Sequence, residues 1–567
     1  MKKNFNFGKI KRLFPLDYGL HRLSKYCRIG EKSLAKLMRT KDVGRVPGTF
    51  NLKKYSILEK KYGKIPKQGK LPSRMIKEIT NDFFSGTPLW RSPNLQHNVG
   101  AAVNVAASAM YALALDVNIY NINSELAGNA LAAEHAVVKI LADLANLDKN
   151  KSHGIFTFGG TATNLYGLKV AVSKIFPNVT FDGIPKNIKF LIAEDAHFSH
   201  GVSANWLGIG TKNLIVIPAN EDRRSNLKEA GNRAKKILEK GDILAGMIIN
   251  GGTTYDHVID DIVGFVNLRD KLVKKYSLRY VPHIHFDTVI GWAWLMFKDY
   301  NFRLNQFNFS KDALKKLRLQ YQRISKINLA DSWGVDFHKG VGGCPIPCSV
   351  FMLKNKKDFL FVSKKMDPLT LTHQLAEEFS FESPSDYTLE TSRPGGAPIA
   401  ALTALHTLGQ RGYQLYLGRL IELVSLFRKI IQEISDTIVI NPHSLGYVTM
   451  IVIIPPELKR IFENLTNKEK FLYVKNNANS EVVTKINNYM KTFFKWDQKV
   501  RMSRYFETVY SYSSSYIKTN CGEKLSALKF YPVSPHLNEV YIKRTVKILK
   551  EQKAIFDKNI WLKDAHK

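Results

Sequence analysis

Apolar positions along this chain alternate between two textures. Near-continuous apolar runs of strand length occur at Asn187–Ala193, Leu214–Pro218, Ala245–Asn250 and Tyr280–Asp287. They are rich in β-branched residues, as strands buried on both faces are. Helical stretches such as Arg223–Lys240 and Asp261–Lys275 lie between them. That alternation predicts right-handed crossovers and a mostly parallel sheet covered by helices, an α/β architecture that binds ligands at the carboxyl ends of its strands. Upstream, Glu125–Leu147 has Ala-rich helical periodicity. The weakly polar run Gly100–Val117 contains Asn104, Ser108 and Asp116, whereas a membrane span needs about 20 apolar residues, so it predicts a buried helix. Beyond residue 395, a long helix over Ala397–Ile434, strands at Thr437–Asn441 and Gly446–Ile454, and a terminal helix at Asn538–Lys553 predict a smaller α/β domain. Gly44, Pro47, Gly63, Pro66, Gly69, Pro72 and Gly86 break the first ninety residues into short helices joined by turns. The expected division is an arm over 1–90, a large domain over 91–395 and a small domain over 396–567. No internal repeat or low-complexity stretch is visible.

Composition adds little to this picture, and charge adds one question. With 44% hydrophobic and 23% charged residues in 567, the chain is an ordinary folded protein of more than one domain. Its formal net charge is +35, and residues 1–70 hold 20 Lys plus Arg against Asp17, Glu31, Asp42 and Glu59. Such a segment attracts nucleic acid or another polyanion without regard to sequence, but no aromatic interleaving or nucleic-acid motif accompanies it. Four cysteines, Cys27, Cys344, Cys348 and Cys521, do not make a disulfide scaffold and fit a reducing compartment. Lys2 and Lys3 are not followed by an apolar core, which predicts no secretory signal and a soluble cytoplasmic protein.

The chemistry-bearing segments follow the predicted strands. Gly159-Gly160-Thr161-Ala162-Thr163-Asn164 opens a helical pattern, and glycines with hydroxyls at a helix start suit a phosphate. Glu194-Asp195-Ala196-His197-Phe198-Ser199 follows one strand, and Asn250-Gly251-Gly252-Thr253-Thr254 follows another. His283-Ile284-His285-Phe286-Asp287 closes a third; its alternating residues share a face, and with no further histidine or glutamate it does not make a zinc set. A carboxylate at that strand end could hold a protonated ring nitrogen. Finally, Ala330-Asp331-Ser332 leads through Trp333, Gly334, Val335, Asp336 and Phe337 to His338-Lys339.

This last segment resembles the cofactor-lysine region of the group II pyridoxal-phosphate-dependent amino-acid decarboxylases, a family that includes glutamate, tyrosine, aromatic-amino-acid and diaminobutyrate decarboxylases. The other segments fall in that family's order. Leu389-Glu390-Thr391-Ser392-Arg393-Pro394-Gly395 resembles its arginine-containing junction between domains. The resemblance covers about residues 91–420. It implies the aspartate-aminotransferase-like type I fold, a homodimer, and pyridoxal 5'-phosphate bound as a Schiff base on Lys339. It further implies that Thr161, Ala162 and Thr163 take the phosphate with His338 nearby, His197 stacks on the ring, Thr254 lines the pocket, and Asp287 faces the ring nitrogen. The implied reaction is loss of carbon dioxide from an amino acid to give the amine. Another pyridoxal-phosphate lyase reaction, aldehyde-forming oxidative deamination, or a non-enzymatic basic scaffold are the alternatives.

Two departures qualify the resemblance. Thr288 and Val289 follow Asp287 where the family usually has two alanines. The stretch Phe361–Asp386, where the family carries a loop tyrosine proposed as proton donor, contains Phe379 and Phe381 and no tyrosine; Tyr387 is the first, so Tyr387, His197 or water is expected to serve. Within Trp90–His97, which resembles the region near the substrate side chain, Arg91 or His97 could favour an acidic group. The substrate itself is not legible.

Overall fold

The computed structural model describes Leu13 and residues 22–38, 43–48, 52–364, 381–503 and 508–561. Three helices, α1 (Arg22–Leu37), α2 (Leu52–Tyr62) and α3 (Pro72–Phe83), make up the described part of the arm. Some of its charge is neutralised internally, by Lys61 with Asp82 and Lys70 with Glu78, each at 2.6 Å. There follow α4 (Val105–Asp116), α5 (Leu131–Leu144), β1 (His153–Thr157), α6 (Gly160–Ile175), β2 (Ile188–Ala193), α7 (Ser199–Trp206), β3 (Leu214–Ile217), α8 (Leu227–Glu239), β4 (Ile243–Asn250), α9 (Ile262–Lys275), β5 (His283–Asp287), α10 (Lys311–Ile324), β6 (Ser332–Asp336) and β7 (Ser349–Leu353).

β1–β7 form one sheet in the order β1-β7-β6-β5-β4-β2-β3. Neighbouring pairs among β2–β6 are parallel, and β7 runs against both β1 and β6, so six strands point one way. β1, β5, β6 and β7 are buried along their whole length, which explains their unbroken apolar texture. The six common directions bring the carboxyl ends of β1, β2, β4, β5 and β6 to one edge, and every chemistry-bearing segment follows one of those ends.

α11 (Gly396–Gln432) leads to β8 (Thr437–Val439), β9 (Thr449–Ile453), α12 (Ser480–Ser503), β10 (Ser511–Lys518), β11 (Lys524–Phe530) and α13 (Glu539–Phe556). The helix is interrupted at Gly409, whose φ of 62° only glycine adopts at no cost. The second sheet, β10-β11-β9-β8, is antiparallel. One contiguous apolar cluster runs from Phe286, Trp292 and Trp333 of the first sheet region to Ile451 and Leu528 of the second.

The expectation of a buried helix over 100–117 is corrected. In α4 only Ala107 and Ala114 are buried, while Val105, Met110, Leu113 and Leu115 are exposed. The helix is apolar all round; it packs one side on α11, and the described residues leave the other uncovered.

Candidate active site

The site is built from the turns at the carboxyl edge. After β6 the chain folds back so that Lys339 N–H donates to Asp336 O at 3.3 Å, which turns the Lys339 side chain onto the Asp336 carboxylate; Nζ lies 2.7 Å from Oδ2. Asp336 is wholly buried, and Ser349 Oγ donates to its Oδ1 at 2.5 Å. Burial alone would lower the Lys339 pKa, but the charge and hydrogen bond of Asp336, and then the charge of Asp287, raise it above its ordinary value. His338 lies beside the same carboxylate, with Nδ1 3.1 Å from Cys348 O and Nε2 3.8 Å from Asp336 Oδ2.

Asp287 closes β5, buried. Two side-chain donors reach its Oδ2: His200 Nε2 at 3.0 Å and Asn164 Nδ2 at 3.2 Å. Among the described residues Oδ1 receives only the Val289 N–H, at 3.4 Å, so this oxygen keeps capacity for another donor. Burial would raise the Asp287 pKa, but the His200 hydrogen bond, and nearby positive and dipolar groups including Lys339, hold it well below the usual carboxylate range.

His197 lies just before α7, with Nδ1 2.8 Å from Ser199 Oγ. Its pKa is lowered by burial, Asp287 opposing and Lys339 adding to the effect. Asn164 donates both to Ser199 Oγ at 2.9 Å and to Asp287, so His197 and Asp287 belong to one hydrogen-bonded network.

At the start of α6, Gly159 has φ 143° and no side chain caps the helix. A Cβ on Gly160 would come within 2.5 Å of Asp336 Oδ2, so glycine is required there. Thr161 is exposed on the first turn, whereas Ala162 and Thr163 turn inward. Thr163 Oγ1 donates to Gly160 O at 2.8 Å, which leaves Thr161 as the hydroxyl on the open side. Thr254 is half-buried in the turn that follows β4. The adjacent Thr253, whose Oγ1 accepts the Val258 N–H at 3.1 Å, holds that turn closed.

Arg393 is structural: buried, it pairs with Glu134 at 2.6 Å and donates to Asn121 O and Phe156 O. Arg91 donates from Nε to Val103 O at 2.7 Å. His97 belongs to a strand-like segment that runs beside the lysine, where Gly100 bridges Lys339 and Gly340 N–H donates to Val99 O at 2.6 Å. Burial, then Arg45, Lys529 and Arg501, push His97 down to about 4. Tyr387 packs its ring into an aromatic cluster with Phe381 and Phe359, centroids 5.5 and 6.2 Å away. Phe379 lies outside the described residues.

The sequence model described as the pyridoxal-dependent decarboxylase conserved domain matches residues 56–452, more than half of the chain. The chain belongs to this family. Among curated relatives, the L-2,4-diaminobutyrate decarboxylase of Acinetobacter baumannii is 25% identical over 299 residues, 50% of this chain and 52% of that protein. The L-2,4-diaminobutyrate decarboxylase of Rhizobium meliloti (strain 1021) is 26% identical over 312 residues, 54% of each. The chain thus spans about half the length of the curated relatives it matches. The crystal structure of mouse CSAD in apo form aligns with 94% of this chain and 98% of its own at a TM-score of 0.73 and 14% identity, which shows the shared fold.

The residues of this pyridoxal-dependent decarboxylase family member fit the cofactor that gives the family its name. The uncapped first turn of α6 suits a phosphate, Asp287 Oδ1 has capacity for a ring N–H, and Lys339 is an amine at the same edge. Asp336, Asn164, Ser199 and His200 were not singled out from the sequence. The three-residue spacings from Asp336 to Lys339 and from His197 to His200 were the available signals, since each is a single turn of chain.

Proposed function

We propose that the chain decarboxylates an amino acid, with pyridoxal phosphate attached through Lys339. The observation that carries this reading is that Asp287 closes β5 and Lys339 follows the adjacent parallel strand β6, with His197 joined to Asp287 through Ser199 and Asn164. When bound, the cofactor supplies an electron sink conjugated to the substrate's α-carbon. Asp287, kept ionised, holds the proton on the ring nitrogen at Oδ1. Thr161 and the free N–H groups of the first turn of α6 orient the phosphate, and His197 covers the ring. Asp336 holds the proton on Lys339 until the amine is needed.

The surroundings of His97 favour a substrate with an anionic side chain. Arg45, Lys529 and Arg501 all act on it, and among the described residues a carboxylate pairs only with Arg501, Asp497 at 2.5 Å. Lys529 is nearly buried; its Nζ donates to Asn98 Oδ1 at 3.1 Å and lies 5.4 Å from the Tyr255 ring, one residue from Thr254.

The exposed face of α4 supports pairing of two copies, because a contiguous apolar face of this kind marks an interface. The two sheets fall on either side of residue 395, which supports boundaries near 90 and 395 for an arm, a large and a small domain. Free cysteines support a reducing, cytoplasmic location; no helix among the described residues is long and apolar enough to cross a membrane.

The test is incubation of the cofactor-loaded protein with the twenty common amino acids plus 2,4-diaminobutyrate, scoring carbon dioxide, amine, aldehyde and peroxide. Stoichiometric carbon dioxide and amine are expected. Aldehyde with peroxide as main products would show oxidative deamination, and no carbon dioxide from any of them would contradict the reading.

A further inference from the structure

Asn164 sits where the groups of the site meet, and the direction of every hydrogen bond around it can be assigned. The Asp287 carboxylate only accepts, so Asn164 Nδ2 donates to it at 3.2 Å and to Ser199 Oγ at 2.9 Å. The amide oxygen must then accept, and it takes the proton of His285 Nε2 at 3.0 Å. His285 is neutral, its pKa pushed down to about 3 by burial and then by His200, so its Nδ1 accepts from Ser332 Oγ at 2.8 Å. Ser332 has then given its one proton and accepts from His283 Nε2 at 2.7 Å. On the other branch, Ser199 accepts from Asn164 and so gives its own proton to His197 Nδ1 at 2.8 Å, reinforced by the Ser199 backbone N–H at 3.3 Å. Burial keeps His197 neutral, and a neutral ring that accepts at Nδ1 carries its proton on Nε2.

We propose that Asn164 is a positioning residue that ties the Asp287 carboxylate to the tautomer of His197, so that His197 presents an Nε2–H donor, and no base, to the open side of the site. The inference rests on the reading of Asp287 and His197 as the groups that face the cofactor ring. One amide, with both N–H donors used and its oxygen accepting from His285, orients both. A protonated Asp287 or a flipped amide would remove the direction of the whole relay. The role that follows for His197 is to donate a hydrogen bond to an anionic oxygen, such as the substrate carboxylate; a neutral imidazole is too weak an acid to protonate the α-carbon.

The readout is the pair of ring-nitrogen resonances of His197 in the cofactor-loaded protein carrying isotope-labelled histidine, assigned by their loss in His197→Gln. Wild type is expected to show a pyridine-like Nδ1 and a pyrrole-like Nε2 near neutral pH. Asn164→Asp turns the Ser199 hydroxyl toward the new carboxylate, and Ser199→Ala removes that hydroxyl; each leaves Nδ1 only the longer Ser199 backbone N–H at 3.3 Å, so in each the two resonances should shift measurably toward one another. Ser199→Thr keeps the hydroxyl and should retain the wild-type pattern. If Asn164→Asp does not fold, Ser199→Ala decides. A pyrrole-like Nδ1 in wild type, or a wild-type pattern in the folded variants, overturns the proposal. Neither readout depends on turnover, so a protein that releases no carbon dioxide yet shows the expected tautomer would sink the decarboxylase reading and leave this one standing.

Discussion

The ammonium of Lys339 lies 2.7 Å from the carboxylate of Asp336, three residues earlier and without solvent exposure. The pair has two consequences of opposite sign. It anchors the reactive lysine at the carboxyl end of β6, and it stabilises the protonated form, which cannot attack an aldehyde. Because the folded Lys339 pKa exceeds its unfolded value, the proton linkage stabilises the fold throughout neutral pH and is lost as pH rises through the folded value.

Cofactor capture by the unloaded protein should therefore accelerate with pH across the neutral and alkaline range. Asp336→Asn removes the charge that holds the proton and so enlarges the neutral-amine fraction. Stopped-flow absorbance should show faster capture at neutral pH in the variant. An unchanged or slower rate would mean that Asp336 serves another purpose.

Asp287 shows the reverse linkage. Its folded pKa is held down, so its contribution to stability is present above the unfolded value and is lost as pH falls through the folded one. Asp287→Asn should keep the covalently bound cofactor yet lose about 100-fold or more in turnover, as removal of one preorganised charge-stabilising group does. Turnover within a few-fold of wild type would show that the ring nitrogen is not held at Oδ1.

Lys529, lowered to about 8 by burial, should recover its ordinary pKa when an acidic substrate supplies a counter-charge. Lys529→Met keeps the apolar stem and removes a charge-assisted contact worth about 1.5–3 kcal/mol, so KM for an acidic amino acid should rise at least about tenfold. A preference for 2,4-diaminobutyrate over acidic amino acids in wild type would contradict the anionic-substrate reading.

Leu113 and Leu115 occupy the exposed side of α4. Wild type should sediment as a dimer, and Leu113→Asp with Leu115→Asp should give a folded monomer with reduced cofactor retention. A wild-type monomer would leave the apolar face without the proposed partner.

Much of the architecture was legible because parallel strands buried on both faces are written as unbroken apolar runs. Each motif also sits directly after a strand, so the common strand direction suffices to gather Thr161, His197, Asp287 and Lys339 at one edge. The polar network was not legible. His200 and Asn164 meet Asp287 across 87 and 123 residues of sequence, and nothing in the local pattern marks either as its partner. The Thr163 hydroxyl donates within the helix, and Tyr387, named with His197 and water as a proton donor, packs among phenylalanines; neither arrangement is marked in the local pattern. α4 looked buried because the sequence records that it is apolar, not what covers it.

The central claim is that Lys339 carries the cofactor. Borohydride reduction of the loaded protein, followed by peptide mass mapping, should place one pyridoxyl group on Lys339, and Lys339→Ala should lose both that group and the visible absorbance. A reduced adduct mapped to another lysine, or one that persists in Lys339→Ala, would contradict the account.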